Sequence, residues 1–276
     1  MKALCLLALL LPLRAQPIVR AHFHHVHLNS TDPAAAIEFY TSHFDCEKGE
    51  YLGQPAVLAQ KSWLLFNKVE KAPPPEVISP IWHIGWGAED MKAAYQKELD
   101  LGAKFQTPIT DISDLANSPG FYYAYVDGPD HALIELNTAR HHHFGHLHLF
   151  SADPVAAGEF YINNFGATSY RKPPYPREAH FYKGFQVAPS MSLTMDNVNI
   201  IIFPMEHAKQ TFPEIWQGRD QFVSTKGRVI DHIAFSVDDL KQATAALKAK
   251  GIAVNADGFI DGPDGIRIEL VQRVVP

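Results

Sequence analysis

Short runs of alternating apolar and polar residues recur along the chain, and they predict β-strands with two distinct faces. In the first run Phe23, His25, His27 and Asn29 share one face while Val26 and Leu28 share the other. In a later run Phe144, His146, His148 and Phe150 oppose Leu147 and Leu149. Each of these runs leads into a helix start. Asp32 before Pro33, and Asp153 before Pro154, pair a side chain that caps free N–H groups with a proline in the first turn, where its missing N–H costs nothing. Gly102 and Gly251 suit the left-handed position that closes a helix. Further β-rich runs follow at 122–126, 133–136 and 266–271, with the turn sequence DGPD at Asp127 and again at Asp261. The reading is a βαβββ module.

The module repeats. His22 to Phe44 (HFHHVHLNSTDPAAAIEFYTSHF) returns as His143 to Phe165 (HFGHLHLFSADPVAAGEFYINNF). Between the copies stands IWHIGWGAEDM from Ile81, and after the second stands IDHIAFSVDDL from Ile230. In all four segments a strand His precedes an Asp by seven residues: His25 and Asp32, His83 and Asp90, His146 and Asp153, His232 and Asp239. The pattern predicts an α+β protein of four modules in two halves, 17–140 and 141–276, after an N-terminal segment at 1–16. Lys71 to Pro80 and Pro204 to Arg228 read as linkers, and Tyr170 to Ser190 as an insertion in module three.

Composition narrows the functions. With 46% apolar and 20% charged residues among 276, the chain can bury a core, which excludes disorder and coiled coil. A net charge of -6 and the lack of a basic run argue against nucleic acid as a partner. The 15 histidines are the feature that most needs a chemical explanation. The apolar run from Ala3 to Leu13, between Lys2 and Arg14, is too short to span a bilayer and has the length of a signal-peptide core. The expectation is an exported, periplasmic or extracellular protein with no membrane association once processed, or a cytoplasmic one if the segment is kept. Cleavage would remove Lys2, Arg14 and Cys5, taking the charge from -6 to -8 and leaving Cys46 as the sole cysteine. No intramolecular disulfide could then form.

The aliphatic faces of the first and third strands should meet helices, leaving His25, His27, His146 and His148 on the concave side of a curved sheet. His83 and His232 are followed two residues later by small Gly85 and Ala234, which leaves room beside them. Glu135 (ALIEL) and Glu269 (IRIEL) oppose Ile134 and Ile268 on the last strands, and an isolated carboxylate buried there would be costly. One strand histidine is more often packing than ligand. Four in register with two matching glutamates point to metal. His27 and His148 are candidate general bases or donors to the ligands, with packing an equal alternative. Tyr125 is a candidate hydrogen-bond donor to a bound oxyanion or substrate. His141 to His143 read as a solvated linker, and His180 as a weak acid-base candidate.

The first-strand His with Asp seven later, the closing DGPDxxxxEL segments at Asp127 and Asp261, and the order of four modules resemble the vicinal oxygen chelate superfamily. That superfamily includes glyoxalase I, extradiol dioxygenases and the bleomycin and fosfomycin resistance proteins. The resemblance covers about Phe23 to Gln272. It implies that modules pair into cups, each holding a divalent metal through first-strand and last-strand residues. Carried over half by half, the ligands would be His25, His83 and Glu135 in one cup and His146, His232 and Glu269 in the other. Modules can also be exchanged between halves or subunits, so this grouping assumes that consecutive modules pair.

The departures from the family pattern are informative. Where glyoxalase I places a fourth ligand, a Glu on the last strand of its first module, WLLFN and IIIFP put Leu65 and Ile202. Two His and one carboxylate then remain, with open positions, the set by which non-haem Fe(II) holds substrate and dioxygen. That resembles the extradiol dioxygenases, although Phe259 stands opposite Tyr125 in the repeat and Gly128 and Gly262 occupy a position often acidic in that group. Three classes follow: an Fe(II) dioxygenase acting on a small substrate with adjacent oxygens, a lyase, isomerase or epimerase using Mn(II), Zn(II) or Ni(II), and a metal-free binder of the bleomycin-resistance type. Oligomeric state and substrate identity are left open by the sequence.

Overall fold

The computed structural model describes residues 19–274. The expected export segment at 1–16 lies outside them. Module one comprises β1 (Ala21–Ser30), α1 (Pro33–His43), β2 (Glu47–Tyr51), β3 (Gln54–Ala59) and β4 (Ser62–Lys68). Module two comprises β5 (Ile81–Ala88), α2 (Met91–Asp100), β6 (Phe105–Asp111), the one-turn α3 (Ser113–Ala116), β7 (Tyr122–Asp127) and β8 (Leu133–Thr138). Module three contains β9 (Phe144–Ser151), α4 (Pro154–Phe165), β10 (Thr168–Ser169), β11 (His180–Tyr182), β12 (Phe185–Ala188), β13 (Met191–Met195) and β14 (Val198–Pro204). Two short helices, α5 (Met205–Thr211) and α6 (Pro213–Trp216), then lead to β15 (Ile230–Val237), α7 (Leu240–Ala249), β16 (Phe259–Asp261) and β17 (Arg267–Gln272) of module four.

The four long helices start as the sequence predicts. Asp32, Asp90, Asp153 and Asp239 each accept a backbone N–H from the first turn. The fourth module departs from βαβββ. Only seven residues separate Gly251 from Phe259, too few for the strand and helical turn that β6 and α3 supply in module two. The segment 204–228 is likewise more than a linker, because α5 and α6 fold within it.

The modules do not pair within the halves. One curved sheet runs β16-β17-β15-β1-β4-β3-β2 and the other β10-β13-β14-β9-β5-β8-β7-β6. Module one therefore pairs with module four, and module two with module three. The joints are antiparallel, β1 on β15 and β5 on β9, with His27 opposite His232 and His83 opposite His148. The aliphatic faces share one core: Phe23 meets Phe144 at 5.9 Å and Phe235 at 6.2 Å between ring centroids, and Phe44 stacks on Trp86 at 4.8 Å. The DGPD turns clamp one sheet to the other. Asp130, held in the left-handed region, accepts hydrogen bonds from Ser30 Oγ at 2.7 Å and Thr31 N at 3.0 Å, and Asp264 accepts from Ala152 N at 3.1 Å.

Cross-half pairing makes a testable demand. Residues 17–140 or 141–276 produced alone would leave β1 and β5, or β9 and β15, without their partners, so each half should be unfolded or self-associated. Coexpression should recover a soluble one-to-one complex by size exclusion. A folded monomeric half with native-like stability would contradict the topology.

Candidate metal centres

The pairing regroups the predicted ligands. His25, His232 and Glu269 meet in the first cup, built by β1, β15 and β17, while His83, Glu135 and His146 meet in the second, built by β5, β8 and β9. The half-by-half sets, His25 with His83 and Glu135, and His146 with His232 and Glu269, are thus incorrect. All six residues nonetheless converge, three in each cup. The error lay in assuming that neighbours in sequence share a sheet.

Local sequence explains the convergence. β15 and β17 run parallel with Ala234 beside Glu269, and β5 and β8 do the same with Gly85 beside Glu135. The small residues lie opposite His25 and His146 across the antiparallel joints. A Cβ at Gly85 would overlap the His146 ring, so glycine is what lets that imidazole lie across β5. Four β-bulges bracket the histidines, leaving His24 and Asp231 extra in one sheet and Gly145 and Trp82 extra in the other. Bulges re-aim side chains beside a site. His24 Nδ1 thereby meets His25 Nδ1 at 2.8 Å, and Trp82 turns into the second cup, 4.9 Å from His148.

In the first cup His25 Nε2 and His232 Nε2 are 3.4 Å apart, and each is 3.3 Å from Glu269 Oε2. His27 joins them, its ligand atom within 4.8 Å of those of His25 and His232. Burial, the largest influence on both, holds His25 and His27 neutral, at about 3 and about 4. His232 goes the other way, because Asp231 and Glu269 outweigh its burial. Glu269 is lowered for the matching reason: burial raises it, and the His232 and His25 imidazoles more than compensate. The cup is open, with 26% of the Glu269 side chain exposed. Its wall is aromatic: Phe259 lies 5.0 Å from His232, and Tyr51 lies 6.4 Å from His25 and 5.8 Å from Trp63.

The second cup is closed. His83 is fully buried, and Glu135, His146 and His148 nearly so. His83 Nε2 and Glu135 Oε2 approach to 2.9 Å without hydrogen-bond alignment, and His83 Nε2 and His146 Nε2 have no hydrogen-bond partner among the described residues. Buried polar atoms are rarely left so. Close donors that do not bond each other fit a shared cation, and two imidazoles with a carboxylate suit a borderline divalent metal. Tyr125 lies 5.0 Å from His83, ring to ring, and burial followed by the Glu135 carboxylate pushes its phenol well above the usual range. His148 is walled by Trp82, His83 and Phe203, and burial keeps it neutral. The insertion approaches this cup through Phe185, 5.5 Å from the His207 ring that packs against Trp82, and Tyr182 donates to Asp114 at 2.5 Å; in the 204–228 segment Trp216 Nε1 donates to Val77 O at 3.0 Å. His180 stays on the exposed edge of that hairpin.

Two expectations need correction. β14 pairs with β9 so that Ile201, and not Ile202, lies beside His148, as Leu65 lies beside His27. Ile202 is buried on the helix side. Neither cup gains a ligand from this strand. His141 is not simply a solvated linker residue, since it packs on Gly87 and Gly145 and stacks on His143 at 3.8 Å. Sequence reasoning missed His207, which donates to Gln186 O at 3.0 Å and packs 5.4 Å from Trp82, and it missed Asp231. A cavity of about 310 Å³ bounded by Trp82, Leu133, Pro75 and Arg228 touches none of the six ligand candidates. No helix among the described residues is long and apolar enough to cross a membrane.

The family model for the Glyoxalase/Bleomycin resistance protein/Dioxygenase superfamily matches residues 22–136 and 143–270, and the chain belongs to that family. Among solved structures it is similar to glyoxalase I from Zea mays, at 15% identity and a TM-score of 0.62 over 91% of this chain and 92% of that one. It is also similar to a Bacillus subtilis protein described as a candidate dioxygenase, at 11% identity and a TM-score of 0.59 over 93% and 86%. No curated protein sequence matches the chain. The family match establishes the superfamily, and the structural likenesses establish the fold.

Gly85→Ala tests the second cup. Displacing His146 should cost about 1–3 kcal/mol, the usual penalty of an overpacked core, read by urea unfolding. A loss below about 0.5 kcal/mol, the size of an ordinary surface change, would contradict the steric account.

Proposed function

We propose that the protein is a divalent-metal-dependent enzyme acting on a small substrate with two adjacent oxygens, with Fe(II) the favoured ion and extradiol-type ring cleavage the favoured chemistry. The observation that carries this reading is the open first cup, where His25, His232 and Glu269 place three donor atoms within 3.4 Å of one another. With Leu65 in place of a fourth carboxylate, that set leaves coordination positions free. A bound divalent ion would polarise paired substrate oxygens and, as iron, bring dioxygen beside them.

The chain's own residues supply the rest. Tyr51, Trp63 and Phe259 form aromatic walls suited to a flat ring. His27, its ring 4.6 Å from that of His232, is placed to accept a substrate proton. The enclosed second cup offers the same donor types, with Tyr125 and His148 beside them, but no open approach. His27 also supports a second reading, a lyase or isomerase in which it moves a proton and the ion is Mn(II), Zn(II) or Ni(II). Two complete His, His, Glu sets disfavour a metal-free binder. The short apolar run before Arg14 supports export, and N-terminal sequencing from the native source should find a start near Gln16.

Reconstitution with Fe(II) should load one or two ions per chain, and Glu135→Ala and Glu269→Ala should each abolish one site by elemental analysis. With catechol-like substrates, turnover should consume dioxygen and stop on Fe(II) removal. Full anaerobic turnover with Mn(II), Ni(II) or Zn(II) would replace the oxygenase reading with the lyase or isomerase one. His27→Ala should slow turnover about 10²- to 10⁴-fold, the usual range for a lost acid-base group, with metal content unchanged. Loss of metal in that variant would make His27 a ligand instead.

A further inference from the structure

We propose that Asp231 is a positioning residue that makes the first cup the tighter of the two metal sites, an inference that rests on the reading of the cups as metal centres. His232 Nδ1 donates to Asp231 Oδ1 at 2.8 Å. That bond fixes the tautomer and turns the lone pair of Nε2 toward His25 and Glu269. Ligating histidines are commonly oriented in this way by a carboxylate.

Asp231 is itself held. Its Oδ2 accepts from Gly227 N at 2.7 Å, and its Oδ1 receives Arg267 Nη1. The Arg267 guanidinium lies 4.1 Å over the Phe259 ring. Buried Thr225 donates to Asp231 O at 2.7 Å and accepts from Arg267 N at 3.0 Å, tying the bulge to β17. The carboxylate therefore cannot swing away from His232 without breaking several bonds.

The second cup replaces this device with apolar residues. Trp82 occupies the equivalent bulge and Leu133 the equivalent position on the last strand, two residues before Glu135. Both belong to an apolar cluster with Tyr125 and Phe150. His83 Nδ1 is buried and has no partner among the described residues. An ion bound by His83 through Nε2 would leave an N–H on Nδ1 without an acceptor, so the same donor types bind more weakly there.

The test is a Co(II) titration of metal-stripped full-length chain, read by calorimetry and visible absorption. Glu135→Gln isolates the first cup and Glu269→Gln the second. The first cup should bind Co(II) at least about 10-fold more tightly. Asp231→Asn, nearly isosteric, should weaken it about 10- to 100-fold, the usual effect of losing such a partner, and shift its absorption bands. Asp231→Glu should restore part of the loss, and the second cup should be unaffected. Arg267→Met, which spares the carboxylate and removes its anchor, should weaken the first cup less than Asp231→Asn and keeps the test valid if Asp231→Asn does not fold. Unchanged affinity and spectrum in Asp231→Asn, or a tighter second cup, would overturn the positioning role alone. Absence of Co(II) uptake by the parent chain would overturn the metal reading together with it.

Discussion

The antiparallel joint between a strand of one half and a strand of the other is the constraint on which everything else depends. Neither half carries a complete set of the candidate ligands. His25 reaches His232 and Glu269 because β1 lies against β15, and His146 reaches His83 and Glu135 because β9 lies against β5. The same joints close the core through Phe23, Phe144 and Phe235. Folding and site assembly are consequently one event, and the reciprocal DGPD clamps reinforce it at both ends.

Duplication produced two cups that have diverged physically. The first lacks a strand in module four, keeps an open mouth and gives its histidines polar partners in His24 and Asp231, the latter held by Arg267, with the Asn29 and Asn67 pair nearby. The second has a longer wall, a hairpin and helices beside it, and an apolar and aromatic lining that leaves several imidazole nitrogens without partners among the described residues. The donor types are shared, while the dielectric and the access are not. A reaction that needs a substrate to arrive is better served by the first cup.

Much of this was legible in the chain. The seven-residue spacing from His to Asp marked the strand-to-helix junctions, and alternation put the histidines and aliphatics on opposite faces, as the packing of Val26, Leu147 and Ile233 in the shared hydrophobic core bears out. The two ALIEL and IRIEL segments marked the carboxylates. Partner choice was not legible, because four similar first strands present nearly equivalent edges. The β14 register slipped by one because three consecutive isoleucines carry no alternation, and only the contrast at Asn199, which pairs with His146, fixes it. The roles of Asp231 and Trp82 needed the bulges, although IDHI against IWHI was the available hint. His207 was hidden in a segment read as linker.

The central claim, that each cation is held by residues from both halves, is tested most directly by anomalous diffraction from crystals of the Mn(II)-loaded chain. The account predicts density between His25, His232 and Glu269, and, where the second cup is also filled, between His83, Glu135 and His146. Density bridging His25, His83 and Glu135, or the absence of a peak at either cup in fully loaded protein, would contradict it.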